Sequence, residues 1–310
     1  MDSQMKKYDR EELYTVLGPK TTFEMSWKEA EDLIKDGAIG ILIFGATEQH
    51  GIHNPSCPDT IIPLEIAKRT SLILKEEGIP LIIYTPIPFG MSHHHVPFAG
   101  SIALRPETAM MLVEDIGRCM IDQGVKKIVL IVGHTSGEQR AVLVLAGQNL
   151  LEKYGVMYTV YTWMDGLRVL GSDHPEVIKL RDMTKVGYWF GREDKEGFGT
   201  DAHGGAMETA PMLAVMPNLV HKDWMVRAQS AEGTMRYKGL IPGRKGAHRG
   251  PVSGLYVPSP GPMDDFYKEN GRSLGHIGDP TVATAEWGDQ FFNTEALGFA
   301  EIIRRLHKQK

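Results

Sequence analysis

Two short runs of nearly unbroken apolar residues, Ile39-Gly-Ile-Leu-Ile-Phe44 and Ile128-Val-Leu-Ile-Val132, constrain the fold of this chain most tightly. A strand with one wet face alternates apolar and polar residues, whereas a strand apolar at every position is covered on both faces. Helical periodicity lies between and beyond these runs. The spacing predicts helices over 27–36 (Ser26 as N-cap), 61–77, 106–123, 138–154 and 206–216, and a long amphipathic helix over 288–310. Strands are expected over 38–44, 80–87, 126–132 and 156–162. Such alternation implies an α/β fold of three layers, α/β/α, with a mostly parallel central sheet. One domain over 1–310 is expected, with a Gly/Pro-rich, charged excursion at about 229–275 read as a lid or long loop.

Composition narrows the function. A formal net charge of −5 argues against a nucleic-acid binder that works by neutralising phosphates. No apolar run is long enough to span a membrane. The first ten residues are polar and lack the apolar stretch of a signal peptide. Two cysteines, Cys57 and Cys119, make no disulfide framework, so a reducing cytoplasm is the expected compartment. A small-molecule substrate is the expected partner.

The polar residues gather where the strands end. Gly45-Ala46-Thr47-Glu48-Gln49-His50-Gly51 follows the first apolar run, and Asp59 comes soon after. In extended chain Glu48 and His50 share a side, and a loop can return Asp59 to them. Carboxylate and imidazole together suit zinc, manganese or iron. The competing reading makes Asp59 the N-cap of the helix that follows. Gly133-His134-Thr135-Ser136-Gly137 follows the second run and aims either His134 or a set of helix amides into the same cleft. His203-Gly204-Gly205-Ala206-Met207-Glu208 adds a histidine and a carboxylate around two glycines. Here Glu208 is either a further ligand or a first-turn carboxylate that favours the helix dipole. Ser92 and the run His93-His94-His95 precede a Pro/Gly turn and read as a loop facing substrate.

In combination these segments resemble the creatininase (creatinine amidohydrolase) family. The matching pieces are Gly45–Gly51, Pro58-Asp59-Thr60, the turn at Gly133–Gly137, and His203–Ala210 with its Glu208-Thr209. The segments Phe98–Glu107 and Gly278–Glu286 fit as well, so the likeness runs from about Phe23 to the C-terminus. The resemblance implies a three-layer fold, a pair of divalent metal ions (zinc, manganese or iron), hydrolase activity and a homohexamer. By position, Asp59 would bridge the metals, Glu48 and His134 would hold one, and His50 the other. Creatininase proper carries a glutamate where this chain has Ser136. Glu208 is therefore the expected fifth ligand and Glu138 the weaker candidate. His203 matches the catalytic histidine. Ser92, His94, His95 and Trp163 are the expected substrate contacts, with Trp163 matching one substrate-stacking tryptophan.

The partner tryptophan is absent from Phe198–Ala202, and Thr135 stands where creatininase has tyrosine. The aromatic clamp for a planar heterocycle is thus incomplete. The expected reaction is metal-activated water attacking the carbonyl of a small cyclic amide or related metabolite. The alternatives are hydrolysis of a C–C bond in a cyclic keto-inositol, isomerisation or lysis of a sugar-like ketone, and a non-catalytic metabolite binder.

Overall fold

A computed structural model describes residues 18–96, 98–183, 203–230, 275–276 and 279–309, without the side chains of His94 and of residues 227–230. The Gly/Pro-rich excursion therefore lies, from 231 to 274, outside the described residues. At the centre stand β1 (Ile39–Phe44), β2 (Leu81–Ile83), β3 (Lys127–Val132) and β4 (Met157–Thr162), all parallel, in the order β2-β1-β3-β4.

Side chains alternate across the pleat and fill two separate cores. Ile39, Ile41, Ile43, Val129 and Ile131 face one side. There they meet Ile62 and Ile66 of α2 (Pro58–Lys75) and Phe291, Phe299 and Ile303 of a long helix, α9 (Ala285–Lys308). Leu42, Phe44, Ile128, Leu130 and Val132 face the other side. They pack on Val113 and Met120 of α3 (Pro106–Asp122) and on Leu143 and Leu150 of α4 (Gly137–Tyr154). This is the three-layer α/β/α arrangement expected from the unbroken apolar runs.

The helix α1 (Trp27–Lys35) starts at Ser26 through a reciprocal pair of hydrogen bonds with Glu29, as the sequence predicted. Three boundaries shift. The helix expected from 61 begins at Pro58, because proline fits a first helical turn whose N–H groups have no partner within the helix. Asp59 is thereby inside the first turn and is not the N-cap. The strand expected over 80–87 is regular only at Leu81–Ile83 before Pro86 and Pro88, although Ile87 still bridges to Phe44. The last helix begins at Ala285, capped by Thr284, whose side chain accepts from the Trp287 amide.

Two short helices, α5 (Asp165–Leu170) and α6 (Pro175–Met183), follow β4. The expected helix after His203 is α7 (Ala206–Val215), and α8 (Lys222–Ser230) comes after it. α9 packs against α2, α5, α6 and α7 and so closes one layer. Its Glu295 is wholly buried, with Oε2 accepting from the Tyr161 hydroxyl at 2.8 Å and from the Gly166 amide at 2.9 Å. No described helix is long and apolar enough to cross a membrane.

Candidate metal centre

The register of the two central strands builds the site. Phe44 pairs with Val132, so β1 and β3 end level with each other. The Gly133 amide then donates to the Phe44 carbonyl at 2.8 Å, and both chains leave the sheet side by side. Gly133 has no room for a side chain: a Cβ there would lie 1.9 Å from the Asp59 carbonyl oxygen. That close approach brings His134 against the first turn of α2. Gln139 of α4 fastens the same corner, donating to the Phe44 carbonyl at 2.8 Å and accepting from the Met91 amide at 2.9 Å.

Glu48, His50, Asp59, His134 and Glu208 converge there, each nearly or fully buried. Asp59 occupies the middle. Its Oδ1 lies 3.6 Å from His50 Nε2, and its Oδ2 lies 3.5 Å from His134 Nδ1. Glu48 spans the same width, with Oε2 3.1 Å from His134 Nδ1 and Oε1 3.9 Å from His50 Nε2. Glu208 Oε2 is 3.6 Å from His50 Nε2 and accepts from the Gly204 amide at 2.5 Å. Gly204 takes φ +58°, and a Cβ there would sit 2.7 Å from the His50 carbonyl oxygen. Only glycine suits both conditions. The consequence is a His203 ring whose centroid is 4.4 Å from that of His50.

His95 completes the wall. Its ring stacks on His203 with centroids 4.2 Å apart, and its Nε2 is 3.6 Å from Glu48 Oε1. Three triads bring ligand atoms within 4.8 Å of one another: Glu48–His50–Asp59, His50–His203–Glu208 and Glu48–His95–His203.

Charge shapes the protonation. Burial opposes ionisation of Glu48 more than any single neighbour does, yet His134, His95 and His50 together hold its carboxyl well below the usual range. Burial likewise disfavours charge on His134, but Glu48 and Asp59 lift it to about 10. His50 is raised well above its ordinary value against burial, by Glu208 and Asp59. His203 is lowered, by burial first and then by His50. Burial and His276 push His53, just behind the cluster, down to about 3.

These residues fit metal ions. Every ion-pair partner of Glu48, Asp59 and Glu208 among the described residues is a histidine, so no lysine or arginine balances three buried carboxylates. The Glu48 carbonyl accepts from His50 Nδ1 at 3.0 Å, which turns Nε2 toward the carboxylates. His50 Nε2, Glu48 Oε2 and Asp59 Oδ2 are buried without hydrogen bonds. Oxygen and imidazole donors of this kind suit zinc, manganese or iron.

The other expected site residues divide. Glu138 is half-buried in the first turn of α4 and makes no ion pair among the described residues, so Glu208 is the carboxylate that joins the cluster. Ser92 is fully buried. His95, expected to contact substrate, stands beside the ligand-type atoms of Glu48 and His203. Trp163, expected to stack on substrate, is only 2 % exposed and packs edge-on against Phe291 in the core. Its indole N–H donates to the Gly133 carbonyl at 2.9 Å, so it braces the turn that carries His134. The His94 side chain lies outside the described residues. Ser136 caps α4 by accepting from the Gln139 amide at 3.2 Å. Sequence reasoning passed over Gln49 and Gln139, because a glutamine signals nothing until its partners are known.

A creatininase family model, described as creatinine amidohydrolase, matches residues 23–303. The chain is 28% identical over 211 residues to creatinine amidohydrolase of Pseudomonas putida, covering 66% of this chain and 74% of that protein. It is 26% identical to a mycofactocin precursor peptide peptidase of Mycolicibacterium smegmatis, over 84% of this chain and 82% of the other. It is 24% identical to 3-dehydro-scyllo-inosose hydrolase of Thermotoga maritima, over 84% and 75%. A solved structure of creatinine amidohydrolase shares the fold at a TM-score of 0.64 and 23% identity, covering 94% of this chain and 98% of that one. With a family match across most of its length and a cluster of metal-ligand side chains at the ends of its central strands, the chain belongs to the creatininase family and, with it, to the hydrolases.

Proposed function

We propose that the protein is a dinuclear-metal hydrolase acting on the carbonyl of a small, polar cyclic amide or related metabolite. The observation that carries this reading is Asp59, whose two carboxylate oxygens face different histidines, His50 and His134. Glu48 and His134 would hold one cation, His50 and Glu208 the other, and Asp59 both. Two such cations, when bound, acidify water and polarise a carbonyl.

The chain's own residues supply the rest. His203 is kept neutral by burial and stands 3.7 Å from Glu48 through Nδ1, where it can take a proton from the attacking water and return it to the leaving group. His95 stands beside it to orient the substrate. The near-complete burial of Glu48, His50 and Ser92 keeps bulk water from competing with these contacts.

The burial of Trp163 favours a second substrate class. With that ring in the core, the histidine wall suits a hydroxylated ring such as a keto-inositol better than a stacked planar heterocycle. In that case the leaving atom that takes the proton from His203 is carbon.

Metal content by elemental mass spectrometry tests the reading, on wild type and Asp59→Ala after loading with zinc or manganese. About two ions per wild-type chain, lost in the variant, is the expected result. Wild-type protein that takes up no metal would sink it. Product mass for cyclic amides and keto-inositols then separates the two substrate classes.

A further inference from the structure

Gln49 lies between Glu48 and His50 yet faces neither of the ions proposed above. Its side chain reaches the two stacked histidines. Its Oε1 accepts from the Gly51 amide at 2.9 Å, and a backbone N–H can only donate, so the orientation of the carboxamide is fixed. Its Nε2 therefore faces His95 Nδ1 at 2.8 Å. An amide NH2 can only donate, so Nδ1 of His95 accepts, and a neutral His95 carries its proton on Nε2. That Nε2 looks toward Glu48 Oε1.

His203 is set the other way round. Its Nε2 lies 2.6 Å from the Gln49 backbone carbonyl and 3.0 Å from the Gln49 Nε2. Both contacts cannot be hydrogen bonds, because one needs a donor at His203 Nε2 and the other an acceptor. The carbonyl decides: it can only accept, and it is the nearer. His203 thus carries its proton on Nε2, away from the cluster, and turns the bare Nδ1 toward Glu48.

We infer that Gln49 is a positioning residue that makes the two stacked rings opposites at the site: His95 presents an N–H and His203 presents a lone pair. The tautomers stand on geometry alone, while the roles rest on the hydrolase reading. In that reading His95 donates a hydrogen bond to the developing oxyanion and His203 accepts the proton of water. A pair of equivalent rings would compete for one role.

Long-range nitrogen–proton NMR on protein with 15N-labelled histidine distinguishes the tautomers directly, in the metal-free and zinc-loaded chain. The His95 and His203 signals are assigned by their loss in His95→Gln and His203→Gln. Both rings should show a pyrrole-type Nε2 and a pyridine-type Nδ1 in wild type. In Gln49→Glu the carboxylate should reverse His95 to a pyrrole-type Nδ1 and leave His203, held by a backbone carbonyl, unchanged. A pyrrole-type Nδ1 on either ring in wild type overturns the inference, as does a His95 pattern indifferent to Gln49→Glu. The wild-type spectrum suffices if that variant fails to fold. Absence of metal uptake would sink the hydrolase reading and leave the tautomers standing.

Discussion

Glu295→Gln should remove a large pH dependence from the stability of this protein. The Glu295 carboxyl is enclosed by Tyr161, Gly166 and Leu167, and burial, its largest influence, raises it from 4.5 to about 8 despite the hydrogen bonds it accepts. In the unfolded chain it titrates near its ordinary value. Between those two pH values the folded state holds one proton more than the unfolded state, so stability falls as pH rises. The group's contribution is complete below about pH 4.5 and lost by about pH 8. Each unit of difference corresponds to roughly 1.4 kcal/mol, so the whole span is worth about 5 kcal/mol. That is large beside a typical net stability of about 5–15 kcal/mol.

Glutamine resembles the neutral acid in shape and does not titrate. Other groups change protonation over the same range, so the informative quantity is the difference between wild type and variant. Urea unfolding at several pH values from about 5 to 8 should show the wild-type advantage shrinking by roughly 1.4 kcal/mol per unit. A difference that stays constant with pH would show that Glu295 does not change its protonation on folding and would refute the reasoning.

Two further outcomes concern the metal centre. Gly133→Ala forces a methyl group against the Asp59 carbonyl, at 1.9 Å if nothing moves, so it should cost about 1–3 kcal/mol or more and part His134 from Asp59. A wild-type melting temperature together with wild-type metal content would contradict that account. Metal uptake near neutral pH should release protons, because Glu48 and Asp59 hold His134 up to about 10 and His50 is also raised, and both rings must shed a proton to bind. Calorimetry in buffers of different ionisation enthalpy measures this, and a binding heat independent of the buffer would argue against it.

The layers of the fold were legible because Ile39–Phe44 and Ile128–Val132 leave no polar face, and only a parallel sheet covered on both sides accommodates them. The approach of Glu48 and His134 was legible for a related reason: residues just past parallel strands end up side by side, and the loop after Glu48 returns Asp59 to them at the start of α2. What could not be read is what depends on distant packing. The tryptophan at 163 looks the same in sequence whether it faces a substrate or Phe291. The partners of Gln49 include His203, 154 residues away, and no local periodicity encodes them. The short helices α5, α6 and α8 carry too few turns for a pattern to rise above noise.

The position of α9 bears on how the chain matures during synthesis. It follows every other described element, yet it supplies much of the layer that covers Ile39, Ile41 and Ile43. A ribosome that has delivered the whole sheet has still not delivered the helix that shields one of its faces. Until then α2 covers that face of β1 and β3 without its main partner, and the apolar surface left open is the kind chaperones hold and aggregates form on. The first half of the molecule therefore spends its longest wait with one side of its sheet only partly clad.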